Sequence, residues 1–343
     1  MIYNQNSNAC IISSFTYNSS MLKIGTLTLK SNLVLSPLLH TSDLPFRAIS
    51  REFGCELAFF EPFDAHDLVR RRKNSLLALS SDKTDNPIGA QIIGNEPGII
   101  LEAAHIILNL SNTKIINLNF ACPLKSVTKK HCGAYFLNEP KKAANIVKRL
   151  TASISVPTTI KIRSGYVNAH KSEGLKLARM AEDSGAKGVF FHGRTMQQGF
   201  SGKVNYKAIS EAKKTLKIPV IGSGNIISCK LAKKMIDETN CDGLLLARGA
   251  IGNPWIFKQI KAYLVDPEIH ALSTPYEEVL ATTQKHIRFY INNKNLTVSQ
   301  THYLKKLYKI STWYAKGLPY FHKAHIAYDI LRSLALPRFR EKA

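Results

Sequence analysis

The sequence predicts an α/β protein, a (β/α)8 TIM barrel followed by a C-terminal all-α helical domain. Three observations carry this. Short apolar runs recur roughly every 25 to 45 residues, the length of a βαβ unit. Helical patterns lie between most of them. Past Tyr263 no strand-like run remains, and helical periodicity continues to Leu336.

Residues 1–20 are polar and patternless and are expected to be a disordered extension. They show no basic start and no clear apolar core of a signal peptide. Met21 opens a patterned segment, and Leu22-Lys23-Ile24-Gly25-Thr26-Leu27 reads as a hairpin lid. Eight apolar runs follow. They are 33–35, 57–60, 88–93, 115–120, 158–162, 188–191, 219–221 and 244–246. Each is short and continuous, as strands of a buried parallel sheet are. Between them, 102–107, 142–150, 175–181 and 231–236 carry helical spacing. The barrel is assigned to residues 21–268 and the helical domain to 269–343. Thr274-Pro275-Tyr276-Glu277 is read as the first helix start, with Thr274 as cap and Pro275 in the first turn.

The 343 residues hold 47 Lys and Arg against 24 acids, a formal charge of +23. Such an excess points to a polyanionic partner. No apolar run approaches the roughly 20 residues of a membrane span. The six cysteines (10, 55, 122, 132, 229, 241) form no CxxC pair, which argues for reduced thiols in a cytoplasmic protein and against a metal site. From Tyr276 onward twelve basic residues meet four acids, with seven tyrosines interleaved, a pattern suited to phosphates and exposed bases. Arg70-Arg71-Arg72-Lys73 is a second basic run.

A TIM barrel works at the C-terminal ends of its strands. The residues there are Pro37, Glu61, Gln91, Asn119, Cys122, Lys161, Arg163, His192, Arg194, Gly222-Ser223-Gly224 and Ala247-Arg248. Donors and cations in that number suit a ligand rich in acceptors and carrying anionic groups, such as a flavin mononucleotide. The loops after the last two strands, Gly222 to Asn225 and Ala247 to Gly249, are small enough for backbone N–H groups to close on a phosphate.

These residues also carry a family resemblance. Leu35-Ser36-Pro37-Leu38 with Asp43-Leu44-Pro45-Phe46-Arg47 is similar to the opening motif of tRNA-dihydrouridine synthases. Asn119-Phe120-Ala121-Cys122-Pro123 resembles their N-x-G-C-P motif, with Gly133-Ala134 downstream. Thr159-Ile160-Lys161-Ile162-Arg163-Ser164-Gly165, His192-Gly193-Arg194-Thr195 with Gly202, residues 249–257, and Trp313-Tyr314 resemble further family segments. The likeness spans about residues 22 to 335, and the bacterial B-type branch is the most similar.

The resemblance implies reduction of tRNA uridines to 5,6-dihydrouridine, with noncovalent FMN and with NADPH as electron donor. It implies Gln91, Lys161 and His192 against the flavin, with Pro37 beside it. Gly222, Ser223, Gly224, Ala247 and Arg248 would hold the phosphate. Asn119, Arg163 and Arg194 would line the substrate pocket, and Cys122 would be the general acid. An ordinary thiol, with a pKa of about 8.5, is protonated at neutral pH yet acidic enough to donate. Cys132 is the other thiol nearby. A monomer is expected. The chain departs from the family pattern at His40 (usually Gly), Ala121 (Gly), Ser223-Gly224-Asn225 (N-G-D) and Ala247 (Gly), each adding bulk where backbone approaches the cofactor. Two other functions share the same residues: a small-molecule pyrimidine-type flavin reductase, and an RNA-binding paralogue with impaired catalysis.

Overall fold

The computed structural model describes residues 21–167, 172–268, 274–293, 300–316, 318 and 322. The expected N-terminal extension and most of 317–343, with Tyr320, Tyr328 and the basic residues from 323 onward, lie outside them.

A two-stranded hairpin, β1 (Leu22–Ile24) and β2 (Leu27–Leu29), precedes the barrel. Barrel strands follow at β3 (Leu33–Leu35) and β4 (Ala58–Phe59). A short β5 (Phe63–Asp64) pairs in parallel with the end of β6 (Ile88–Ile93). Then come β7 (Thr113–Phe120), β8 (Thr158–Arg163), β9 (Val189–His192), β10 (Val220–Ser223) and β11 (Gly243–Leu246). Neighbours run parallel in the order β3-β11-β10-β9-β8-β7-β6-β4. The Leu35 N–H donates to the Leu57 carbonyl at 2.9 Å and closes the ring beside a parallel bridge, Val34 to Leu57. This is a (β/α)8 barrel, and all eight expected apolar runs are strands of it.

The helices are α1 (Leu44–Glu52), α2 (Ala65–Val69), α3 (Lys73–Leu77), α4 (Pro97–Leu110), α5 (Lys125–Thr128), α6 (Pro140–Ser153), α7 (Glu173–Asp183), α8 (Tyr206–Thr215), α9 (Cys229–Thr239), α10 (Ile256–Val265), α11 (Tyr276–Asn292) and α12 (Gln300–Ala315). Their apolar stripes cover the strands' outer faces. Gly222 shows how tight that contact is, since a Cβ there would lie 3.2 Å from Met235 of α9.

The hairpin closes the N-terminal end of the barrel. Leu22, Ile24 and Leu29 pack on Val34, Leu57, Phe59, Ile115, Phe190, Ile221 and Leu245, all buried and apolar. Phe59 and Phe190 meet edge to face at 5.7 Å.

Two details differ from the sequence reading. Pro275, not Thr274, is the cap residue of α11; no side chain caps that end, and the Thr274 hydroxyl instead accepts from Gln259 Nε2. The stretch 61–80 adds β5, α2 and α3, too short for periodicity to reveal. The Arg70–Lys73 run joins α2 to α3 and is exposed, with Arg72 paired to Asp67 at 2.8 Å.

Helices α11 and α12 share a second core: Val279, Ile287, Tyr290, Leu307, Ile310 and Tyr314 against Trp255 of the last barrel loop. Tyr290 and Tyr314 are therefore packing residues, while Tyr308 is exposed. The barrel meets this pair closely: a Cβ at Gly252 would lie 2.1 Å from the Trp313 carbonyl oxygen. Lys306 of α12 pairs with Asp43 at 2.7 Å, and Lys285 with Glu52 at 2.7 Å.

Candidate active site at the barrel mouth

At the C-terminal end the barrel interior turns polar. Gln91 on β6, Asn117 and Asn119 on β7, and Thr159 on β8 are all buried. Asn119 Nδ2 donates to Gln91 Oε1 at 2.7 Å, and Gln91 Nε2 donates to Asn117 Oδ1 at 2.7 Å. Asn117 Nδ2 donates to the Thr159 hydroxyl at 2.9 Å. The other end of Asn119 turns upward. Its Oδ1 accepts from the Ala121 N–H at 3.0 Å and the Cys122 N–H at 2.9 Å, fixing the turn that presents the Cys122 thiol.

Arg163, at the end of β8, binds that turn from the side. Its Nε donates to the Ala121 carbonyl at 2.7 Å, and its Nη1 reaches the carbonyls of Thr195 (2.9 Å) and Gly199 (2.7 Å). One guanidinium thus ties the β7 loop to the β9 loop. Arg194 holds the same β9 loop through the Gly202 carbonyl, at 3.0 and 2.8 Å. Between them Phe200 is exposed, with the Arg163 and Arg248 guanidiniums 5.6 and 5.4 Å from its ring centre.

Among the described residues, cations gather here without an opposing carboxylate. Burial, then Arg163, pushes the Lys161 amine down to about 8. Burial pushes Arg163 down to about 10. His192 is held well below its usual range by burial and then by Lys161, Arg163, Arg194 and Arg248, so it is neutral. No carboxylate contributes to any of these three shifts. Several donors also face no protein partner. His192 Nδ1, Arg194 Nη1 and the Ser164 hydroxyl are buried and have no hydrogen-bond partner among the described residues. Buried polar groups ordinarily have partners, and isolated buried charges do not persist without one. The mouth is therefore built for an anionic, acceptor-rich ligand, as a flavin nucleotide is.

The backbone around the expected phosphate site is closely packed. Gly224 has φ +129°, and a Cβ there would meet Val204 at 3.1 Å and His192 Nε2 at 3.6 Å. A Cβ at Gly249 would lie 2.1 Å from the Ile226 carbonyl oxygen. Among the departures from the family pattern, Ala121, Ser223 and Ala247 avoid the left-handed region. Asn225, at φ +55°, does not, and neither does His40, whose φ is +56°. A non-glycine residue there costs about 1–2 kcal/mol. Both sides of its backbone are held in compensation. Glu61 Oε2 accepts the His40 N–H at 2.6 Å, and Lys306 and Lys309 each donate to its carbonyl at 3.2 Å. Pro37 is buried on the same loop.

The two candidate thiols separate. Cys122 is half-buried at the mouth, whereas Cys132 is buried, with its Sγ on the Lys130 carbonyl at 3.3 Å. Burial, and then Asp64, pushes the Cys132 thiol up to about 11. Gly133 packs against the Cys122 loop; a Cβ there would lie 2.7 Å from the Cys122 carbonyl oxygen. Among the described residues no cluster of His, Cys, Asp or Glu could hold a metal. No described helix is long and apolar enough to cross a membrane.

The structure brings Asn119, Cys122, Lys161, Arg163, His192, Arg194 and Arg248 to one mouth. The missing side chain of Gly222 faces α9, so only its backbone is turned to the mouth. The sequence reading gave Asn117, Thr159 and Phe200 no role in the site. The first two were legible as polar residues two positions from Asn119 and Lys161, on the inward face.

The fold and the mouth together define a flavin-dependent oxidoreductase on a (β/α)8 barrel. The sequence model of the dihydrouridine synthase (Dus) family matches residues 34–328, and the chain belongs to that family. It is 32% identical over 304 residues to "tRNA-dihydrouridine synthase B" of Pseudomonas aeruginosa, covering 88% of each chain. It is 32% identical over 303 residues to the "Probable tRNA-dihydrouridine synthase" of Rickettsia bellii, covering 87% of this chain and 90% of that one. Among solved structures, histamine dehydrogenase from Rhizobium sp. 4-9 superposes with a TM-score of 0.57 at 12% identity, over 79% of this chain and 50% of that one. The 2-naphthoyl-CoA reductase complex gives 0.57 at 11%, over 71% and 52%. The chain spans about half the length of those two, and the likeness shows the fold alone.

Proposed function

We propose that the protein reduces uridines of tRNA to 5,6-dihydrouridine, using FMN at the barrel mouth, NADPH as electron donor and Cys122 as general acid. One observation carries the reading: Lys161, Arg163, Arg194 and Arg248 converge on a neutral His192 with no acid among them, beside a thiol held on a pinned turn. Bound flavin supplies the hydride for one carbon of the uracil C5=C6 bond. Cys122 delivers the proton to the other carbon. Arg163 keeps the Cys122 turn in place from the side. Lys161 and the Nδ1 of His192 would hold the flavin ring, and Gly224, Gly249 and Arg248 would hold its phosphate.

A uridine inside folded tRNA has to leave its stack to reach this mouth. Phe200, flanked by two guanidiniums, offers a plate for an extruded base. The exposed Arg288, Lys305 and Lys316 of α11, α12 and the residue following them supply phosphate contacts, consistent with the +23 charge. A small-molecule reductase has no use for such a surface. The test is incubation with FMN, NADPH and unmodified tRNA, followed by nucleoside mass spectrometry. Dihydrouridine at defined positions is expected. Reduction of free pyrimidines with tRNA untouched, or no reduction of either, would overturn the reading.

A further inference from the structure

Cys122 does not hold its own position. Its N–H and that of Ala121 are fixed by Asn119 Oδ1, and the orientation of the Asn119 amide is decided elsewhere. A side-chain amide has one accepting and one donating end, so a chain of amides has a direction. Here both ends of the chain are backbone groups of fixed polarity. At the lower end the Thr159 hydroxyl donates to the Ile116 carbonyl, which can only accept, at 3.3 Å. The hydroxyl oxygen is then free to accept from Asn117 Nδ2. That turns Asn117 Oδ1 toward Gln91 Nε2, and Gln91 Oε1 toward Asn119 Nδ2. At the upper end stand two N–H groups, which can only donate. The relay runs without a conflicting contact from β8, through β7 and β6, and back to the loop that carries the thiol.

We propose that Asn117 and Thr159 are positioning residues for the proton donor. They lie too deep to touch substrate, Asn117 and Thr159 both being fully buried. They act by fixing which way the Gln91 and Asn119 amides face, and so by holding the Cys122 turn. A broken link leaves a buried donor or acceptor unpaired, and the amides above it lose their enforced direction. The inference rests on Cys122 being the acid, and its test separates the two claims.

Two readouts are used. The first is alkylation of the cofactor-free protein by iodoacetamide, followed by mass spectrometry of each cysteine peptide. Cys122 is half-buried, while Cys55, Cys229 and Cys241 are buried and serve as internal controls. In Asn117→Leu and Thr159→Val the released turn exposes the thiol, so Cys122 alkylates several-fold faster with the controls unchanged. A merely structural defect would raise all four together. The second readout is the single-turnover rate of uridine reduction by prereduced enzyme. It falls about 10- to 100-fold, the scale of a misplacement near 1 Å, while reduction of the flavin by NADPH keeps its rate. Thr159→Ser retains the hydroxyl and restores both. Should Asn117→Leu fail to fold, Thr159→Val removes a single hydroxyl and decides alone. Wild-type alkylation and turnover in Thr159→Val would overturn the relay. So would an equal rise at every cysteine. Cys122→Ala is run alongside: if it is inactive while Thr159→Val is normal, only the relay fails. If it forms product at the wild-type rate, the acid assignment fails.

Discussion

The two halves of the barrel interior are built from the same strands on opposite principles. In the lower half Val34, Leu57, Phe59, Ile115, Phe190, Ile221 and Leu245 fill the space with hydrocarbon, and the hairpin seals it. In the upper half the next inward positions on β6 to β9 are Gln91, Asn117, Asn119, Thr159, Lys161, Arg163 and His192. Ile115 and Asn117 are two residues apart on one face of one strand. The lower half gains from removing apolar surface from water. The upper half holds donors and cations in place before their ligand arrives, which is what a site for charge needs. Stability and chemistry should therefore come apart on mutation.

The largest expected effect lies in the upper half. Cys122→Ala should slow uridine reduction in single-turnover assays by on the order of 10²–10⁴. Reduction of the bound flavin should be unchanged, and Cys132→Ala should do much less. Equal losses in both would move the acid to the Lys129–Cys132 segment. The matching change below is Phe190→Ala, which should cost about 3–5 kcal/mol in urea unfolding. The folded fraction should keep its single-turnover rate. A large rate loss at full stability would erase the distinction between the halves.

A smaller effect is set by pH. Lys161 sits at about 8 in the free protein, against an ordinary value of about 10.4. A bound anion favours the ammonium form and raises that value. Below about pH 8 the amine is charged with or without ligand, and flavin affinity is at its maximum. Above it the free protein loses the proton and binding must take one up, so affinity falls by up to about tenfold per pH unit. Fluorescence titrations from pH 7 to 9 should show this, and Lys161→Met should flatten the profile. A profile that is flat in the wild type would place the amine away from the ligand.

The smallest effect belongs to neither half. His286 is buried under Phe46 and Trp313, and its Nδ1 meets the Tyr314 hydroxyl at 3.0 Å. Burial pushes it down to about 4. Its contribution is complete above its unfolded value of about 6.5 and is lost as pH falls from there toward 4. At pH 5 the loss is roughly 2 kcal/mol. Urea unfolding at pH 7 and pH 5 should show a drop that is smaller in His286→Phe.

The strands were legible because their apolar runs are continuous, a property of a sheet covered on both faces. All eight runs fall on barrel strands. Asn117 and Thr159 were given no role because a polar residue inside Ile115–Phe120 or Thr158–Ile162 looks like an interruption, although their spacing from Asn119 and Lys161 marks the inward face. The expected cap at Thr274 failed for a local reason: its hydroxyl has another partner in Gln259. The cations of the mouth could be named from their strand-end places. That no acid opposes them could not, because the partners of Lys161 and His192 come from four different strands and loops. His40 is similar. Its left-handed backbone became intelligible only with Glu61, Lys306 and Lys309 around it, the last two more than 260 residues away in sequence.

If the upper mouth is a site of positive charge for a phosphate-bearing flavin, its affinity must depend on the phosphate. The most direct measurement compares FMN with riboflavin, which shares the ring system and ribityl chain but lacks the phosphate. In titrations of the cofactor-free protein at low salt, FMN should bind at least about 10- to 100-fold more tightly, the scale of one or two charge-assisted hydrogen bonds. Added salt should narrow the gap, and Arg248→Ala should reduce it. Equal affinity for FMN and riboflavin, insensitive to salt and to Arg248→Ala, would contradict the account.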